Sequence, residues 1–200
     1  MLTQLTTVKT RLALDPLDTT SDAMLTSAIG AISARFDLET NRTLARTVDF
    51  QQEFLIGASE FIARCYPIEY ISKFEMKTSE ATGWLEQLNV EYLIRRGCIV
   101  QFAKPLRTLQ AVTCLRPVIA RVTYTGGYLL PGFPPVPAAT NLPADLEQAA
   151  IEQTVFWFQT RDKVGILRQW PQGGTYEQFA DADLLPSVRA TLENHRRVTI

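Results

Sequence analysis

Between Pro143 and Gly165 the sequence asks for a helix that a monomer's surface would not suit. Pro143 fits a first helical turn, Asp145 sets a carboxylate beside the unpaired N–H groups there, and Gly165 marks the expected end. At about 100° per residue, Leu146, Ala149, Ala150, Phe156 and Trp157 fall on one face, and Ile151, Val155 and Phe158 on nearly the opposite one. A surface helix needs one apolar stripe. Two opposed stripes require burial on both sides, either in a large core or between a core and a second subunit, and periodicity alone does not choose between them.

The N-terminal half repeats the helical pattern twice. Thr6 or Thr7 can cap a short helix carrying Val8 and Leu12, stopped by Asp15-Pro16. Behind the capping oxygens of Thr19 to Asp22, Leu25, Ala28, Ile29, Ile32 and Phe36 predict a second helix to about Thr40, with Asn41 as a left-handed terminator. From Arg46 the period changes, and strands are predicted over 49–55, 68–77, 90–94, 98–102 and 118–124, with Arg95-Arg96-Gly97 turning a hairpin and Gly126-Gly127 closing the last strand. Five of the eleven prolines lie between Pro131 and Pro143, favouring an extended, stiff crossing. After the long helix, a last short one is predicted from Pro186 to His195, with Val188 and Leu192 as its only apolar pair.

The expected fold is therefore α+β, mainly an α-helical bundle with a β-rich insertion between the second and third long helices. Residues 1–45 plus 141–200 form the helical core, 46–130 the insertion, 131–142 the crossing, and 186–200 a C-terminal tail with no core of its own. A chain of 200 residues can bury such a core without disulfides. Its three widely spaced cysteines read as reduced thiols in a cytosol-like compartment. No signal peptide or membrane span is expected.

Catalytic constellations are thin. The one histidine, His195, sits near the C-terminus beside two arginines and reads as a solvated side chain. Gly126-Gly127 is not followed by Lys-Ser/Thr, no GxGxxG opens a helix, and Asp181 with Asp183 lack the further oxygen ligands of a calcium loop. No cofactor, metal or enzymatic activity is expected. Charge carries more information, because Tyr92 to Ala144 holds six basic residues (Arg95, Arg96, Lys104, Arg107, Arg116, Arg121) and no acidic one, within a chain of net charge −1. Arg95, Arg96 and Arg107 are candidates to face DNA or an acidic partner; an ordinary basic sheet surface is the alternative. Candidate partner or oligomer contacts are Ile151, Val155 and Phe158 on the second helix face, and Val188, Leu192, Arg196 and Arg197 in the tail.

The succession of these pieces resembles a known family. The short helix with Val8-Lys9 and Leu12, the helix over 22–40 followed by Arg42, and Tyr66-Pro67-Ile68 come first. The strand end Val122-Thr123-Tyr124-Thr125-Gly126-Gly127-Tyr128, the helix start Leu142-Pro143-Ala144-Asp145, Trp157 with Arg161-Asp162, and the tail from Leu185-Pro186 to Arg196-Arg197 complete it. Together they resemble the head-tail connector (adaptor, head-completion) proteins of tailed bacteriophages and gene transfer agents. The resemblance implies a structural virion protein made in the host bacterial cytoplasm. It would form a homo-oligomeric ring, commonly of twelve, under the portal in the neck, meeting a head-closure or tail protein and passing DNA through its channel; the tail would bind the portal. Another neck component, a head-closure or tail-terminator protein, is the rival and should be dominated by a β-barrel or sheet. A small hydrolase or transferase is the rival from another class.

Overall fold

The computed structural model describes residues 1–55, 59–103, 119–161 and 183–197. The chain divides into two compact units, Met1–Thr40 with Leu142–Arg196, and Asn41–Asn141 with Arg197–Ile200.

The first unit is helical: α1 (Leu5–Arg11), α2 (Asp22–Glu39), α3 (Ala144–Thr160) and α4 (Pro186–Asn194). α1 starts one residue before Thr6, with Gln4 as N-cap and no side-chain cap bond. α2 ends as its sequence predicts, with Asn41 at φ 52°. Val8, Leu25, Ile29 and Phe158 form a buried cluster against which Leu5, Leu12, Leu14 and Trp157 pack. Lys9 ties α1 down: its Nζ, on a buried side chain, donates to the carbonyls of Pro16 (3.1 Å) and Asp18 (2.6 Å) and pairs with Asp22 (2.9 Å). α3 touches α1, α2 and α4, so its buried residues include Leu146, Ala150, Ile151 and Phe158 from both predicted faces. Val155 on one face, and Phe156 and Trp157 on the other, stay half-buried. The predicted end of α3 near Gly165 lies outside the described residues.

The second unit is β. Its four-stranded antiparallel sheet has the order β1 (Thr47–Leu55), β7 (Ile119–Gly126), β3 (Ile68–Lys77), β4 (Leu85–Glu86). A three-stranded antiparallel sheet has the order β2 (Glu60–Ile62), β6 (Ile99–Phe102), β5 (Tyr92–Arg95). β8 (Tyr128–Leu129) and β9 (Thr140–Asn141) pair in parallel and bracket the proline-rich crossing. The first two sheets meet through aromatic rings: Phe54 stacks on Phe61 with centroids 4.8 Å apart, and Phe74 meets Tyr92 at 5.3 Å and Phe102 at 5.7 Å. Gly126 and Gly127 are required by space as well as by the turn. A Cβ on Gly126 would lie 2.7 Å from the Cys65 carbonyl oxygen, and one on Gly127, at φ 97°, would lie 2.6 Å from that of Ala45.

These sheets overturn one expectation. The protein is not mainly a helical bundle; it is a β-rich α+β fold whose helices are short and whose strands form antiparallel sheets. The helices advertise themselves because their period repeats over several turns, whereas β2, β4, β8 and β9 are two or three residues long and are strands only because distant partners reach them. The tail also departs from its predicted lack of a core. Val188 and Leu192 are buried and α4 packs on α3.

Candidate functional site

Two clusters of polar groups that the β unit buries make bonds that serve its structure. Tyr124, fully buried on β7, accepts hydrogen bonds from the backbone N–H groups of Arg64 and Cys65 (both 3.0 Å) and donates to Gln52 Oε1 (2.9 Å). Burial pushes the phenol up to about 12, so it stays protonated as a donor. Gln52 Nε2 in turn donates to the Ile62 carbonyl (2.9 Å), which also accepts from Arg197 Nη2 (2.6 Å). Arg42, 2% exposed, lies over the Tyr66 ring at 3.3 Å and donates to the Tyr66 carbonyl. Neither constellation contains a nucleophile with a base.

His195 is not simply a solvated side chain. Its Nε2 is 2.8 Å from Asp145 Oδ2, joining the end of α4 to the start of α3. Burial raises the Asp145 carboxyl, but the hydrogen bond and charge of His195 outweigh it and hold the group below its ordinary value. Asp183 pairs with Arg35 (2.5 Å) and with Arg189, while Asp181 lies outside the described residues. Among the described residues no three His, Cys, Asp or Glu side chains could hold a metal ion, and no helix is long and apolar enough to cross a membrane.

The cationic stretch separates into two kinds of residue. Arg95 and Arg96 sit exposed together at the tip of the β5–β6 hairpin, where Arg96 (φ 51°) and Gly97 (φ 67°) make the predicted turn. Arg121 is neutralised instead. Its guanidinium binds Glu75 Oε2 through Nε (2.9 Å) and Nη2 (2.7 Å), and it lies 4.1 Å from the Trp84 ring centroid. Lys73 takes the other Glu75 oxygen at 2.8 Å. Burial raises Glu75, yet bonds from Lys73 and Arg121 prevail and lower it. β3, remote in sequence, brings this carboxylate, so a scan of contiguous residues misses it. Lys104, Arg107 and Arg116 lie outside the described residues.

Of the candidate contact residues, Ile151, Phe158, Val188 and Leu192 are buried in the chain's own helical unit. Val155 is half-buried, Arg196 is exposed beside Glu193 (3.4 Å), and Arg197 is held in the β unit by Ile62. The periodicity missed four exposed apolar side chains on the β unit, Leu85, Leu88, Leu93 and Ile94. Their signal was present in the adjacent pair Leu93-Ile94, since two consecutive apolar residues in a strand cannot both face one core.

A chain in the neck of a gene transfer agent particle has the same fold. That structure, "Neck of empty GTA particle computed with C6 symmetry", aligns with 98% of this chain and 90% of its own, at a TM-score of 0.59 and 15% identity. "Virion of native gene transfer agent (GTA) particle" aligns over the same shares at 0.57 and 13%, and "Neck of native GTA particle computed with C12 symmetry" at 0.52 and 15%. No protein-family model and no curated protein matches the sequence.

Proposed function

We propose that this protein is a structural subunit of a virion neck, a head-tail connector that forms a homo-oligomeric ring under the portal, completes the DNA-filled head and offers the tail its attachment site. The observation that carries the reading is the fold likeness over 98% of the chain to a neck chain of a gene transfer agent particle. The succession of sequence motifs supports the same assignment independently of the coordinates. In this reading the protein is made in the bacterial cytoplasm, acts in the particle and catalyses nothing. The ring has twelve copies, genomic DNA passes through its channel without sequence-specific contacts, and Val155, Arg196 and Arg197 belong to surfaces that meet the portal or a neighbouring neck protein.

A second neck role, head closure or tail termination, is favoured by the β-rich second unit. Deletion of the gene separates the two. A connector's loss should leave DNA-filled or leaking heads that carry a portal and no other neck protein, and the purified full-length chain should bind those heads and restore tail joining. Heads that have already gained a connector and still accept this chain favour the closure role. Normal tailed particles from the deletion strain, or a chain absent from purified particles, overturn the neck reading.

A further inference from the structure

One guanidinium of the β unit lacks the kind of partner that the other shielded arginines have. Among the described residues, the arginines that are not exposed meet a carboxylate or a ring: Arg35 pairs with Asp183, Arg46 with Glu69 and Arg121 with Glu75, and Arg42 lies over Tyr66. Arg197 is half-buried and meets neither. Its Nη2 donates to the Ile62 carbonyl (2.6 Å), an oxygen that also accepts from Gln52 Nε2 (2.9 Å), and its Nε is buried without an acceptor. The charge beside it has the same sign. Burial above all, with the cation of Arg64 adding to it, pulls the Arg197 guanidinium below its ordinary value. The nearby Tyr124 phenol stays protonated and supplies no countercharge. Arg64 is exposed, and among the described residues its guanidinium forms no ion pair either. Holding two like charges together, one of them against burial, is unfavourable unless an anion completes the set.

We propose that Arg64 and Arg197 form an anion-binding site that takes the carboxylate of an aspartate or glutamate side chain on a neighbouring protein of the particle. Two observations favour carboxylate. A half-buried guanidinium admits one small group on a slender stem, and arginine donors match the two oxygens of a carboxylate. A phosphodiester backbone needs a run of cations, and Glu53 and Glu60, next to Gln52 and two positions before Ile62, interrupt any such run here. The tail's other arginine stands apart from the site, since Arg196 is exposed beside Glu193. The source of the carboxylate rests on the neck reading above; the site itself does not.

Acetate, compared with chloride at equal ionic strength, should raise the melting temperature of the native full-length chain by about 1–3 °C, and the shift should vanish in the double variant Arg64→Gln with Arg197→Gln. Arg197→Gln alone should melt no lower than the native chain, because it removes a shielded cation without a countercharge and keeps a donor for Ile62. Arg121→Gln, which strands Glu75, should melt lower. On portal-bearing heads the double variant should bind about tenfold more weakly or worse. No acetate shift in the native chain, or one that survives in the double variant, overturns the site and leaves the neck reading intact. A lower melting temperature for Arg197→Gln shows that the chain itself already satisfies this cation, and overturns the site as well. A shift produced by inorganic phosphate and not by acetate, with packaged DNA lost from double-variant particles, assigns the pair to nucleic acid and overturns the carboxylate. An acetate shift that the double variant loses while it still docks normally overturns the partner and leaves a site for a free carboxylate. A native chain that never joins the heads removes the neck reading and the partner with it, while acetate still decides the site.

Discussion

The two units reach stability by different means. In the helical unit the cluster of Val8, Leu25, Ile29 and Phe158 is mostly aliphatic, with Trp157 packed against it, and is assembled from helices whose spacing is written locally. In the β unit the cluster holds Phe61, Phe74, Phe102 and Tyr124, with Phe50, Phe54 and Tyr92 packed against it, and it exists only once strands far apart in sequence have paired. The β unit also buries a polar network around Tyr124 and an ion-paired carboxylate at Glu75, each of which must be fully bonded to be tolerated. The helical unit's comparable devices, Lys9 on Asp22 and His195 on Asp145, bind neighbouring helix ends. A helix can thus be specified by its own residues. A sheet of this kind is specified by pairs.

Four measurements sharpen or break this contrast. Phe102→Ala should cost about 3–5 kcal/mol as a large-to-small change at the centre of the aromatic cluster. Hydrogen exchange should lose its protection in the β unit first and keep it in α2 and α3. Equal loss in both units would mean that they unfold as one and that the contrast has no energetic meaning. Tyr124→Phe removes only a hydroxyl, but it strands the Cys65 N–H and should cost about 1–3 kcal/mol in chemical denaturation. A neutral result would show that the network is dispensable.

Trp157→Ala comes next. The pattern of α3 sets Trp157 on the face with Leu146 and Ala150, as a core residue or an interface one, and in the structure it is half-buried at the border of the helical cluster. Its loss should cost about 1–2 kcal/mol, below the value for a buried aromatic. A cost equal to that of Phe102→Ala would restore it to the core.

The smallest effect is the pH dependence. Glu75 and Asp145 are both held below their ordinary range, so each adds stability that is present above the unfolded carboxylate value, near 4.3 for Glu and 3.9 for Asp, and lost as pH falls through the folded value. Glu75→Gln should flatten the acid limb of the stability profile more than Asp145→Asn does, because Glu75 is buried and Asp145 is exposed. The reverse order would place the stronger electrostatic tie in the helical unit.

The sequence by itself determined the elements whose signal is local: α2 to its left-handed Asn41, the proline-opened starts of α3 and α4, the Arg95-Arg96-Gly97 hairpin, and the main strands through β7. Tertiary structure decided what those elements met. On the second face of α3, Ile151 and Phe158 are buried by the chain's own helical unit and Val155 is half-buried, a division that periodicity does not give, since a pattern records that a residue is to be buried and not what buries it. Gln153, polar on a helix interior, is accounted for by the segment before α4, where its Oε1 accepts from the Leu185 N–H at 2.9 Å and its Nε2 donates to the Asp183 carbonyl at 3.3 Å. Arg121 reads as an uncompensated cation along the chain and is neutralised by Glu75 forty-six positions away. β2, β4, β8 and β9 have too few residues for a period and become strands through their partners' hydrogen bonds. Local propensity acts over a turn or a few residues of strand, whereas burial, charge pairing and sheet order depend on which distant residues the closed chain sets side by side.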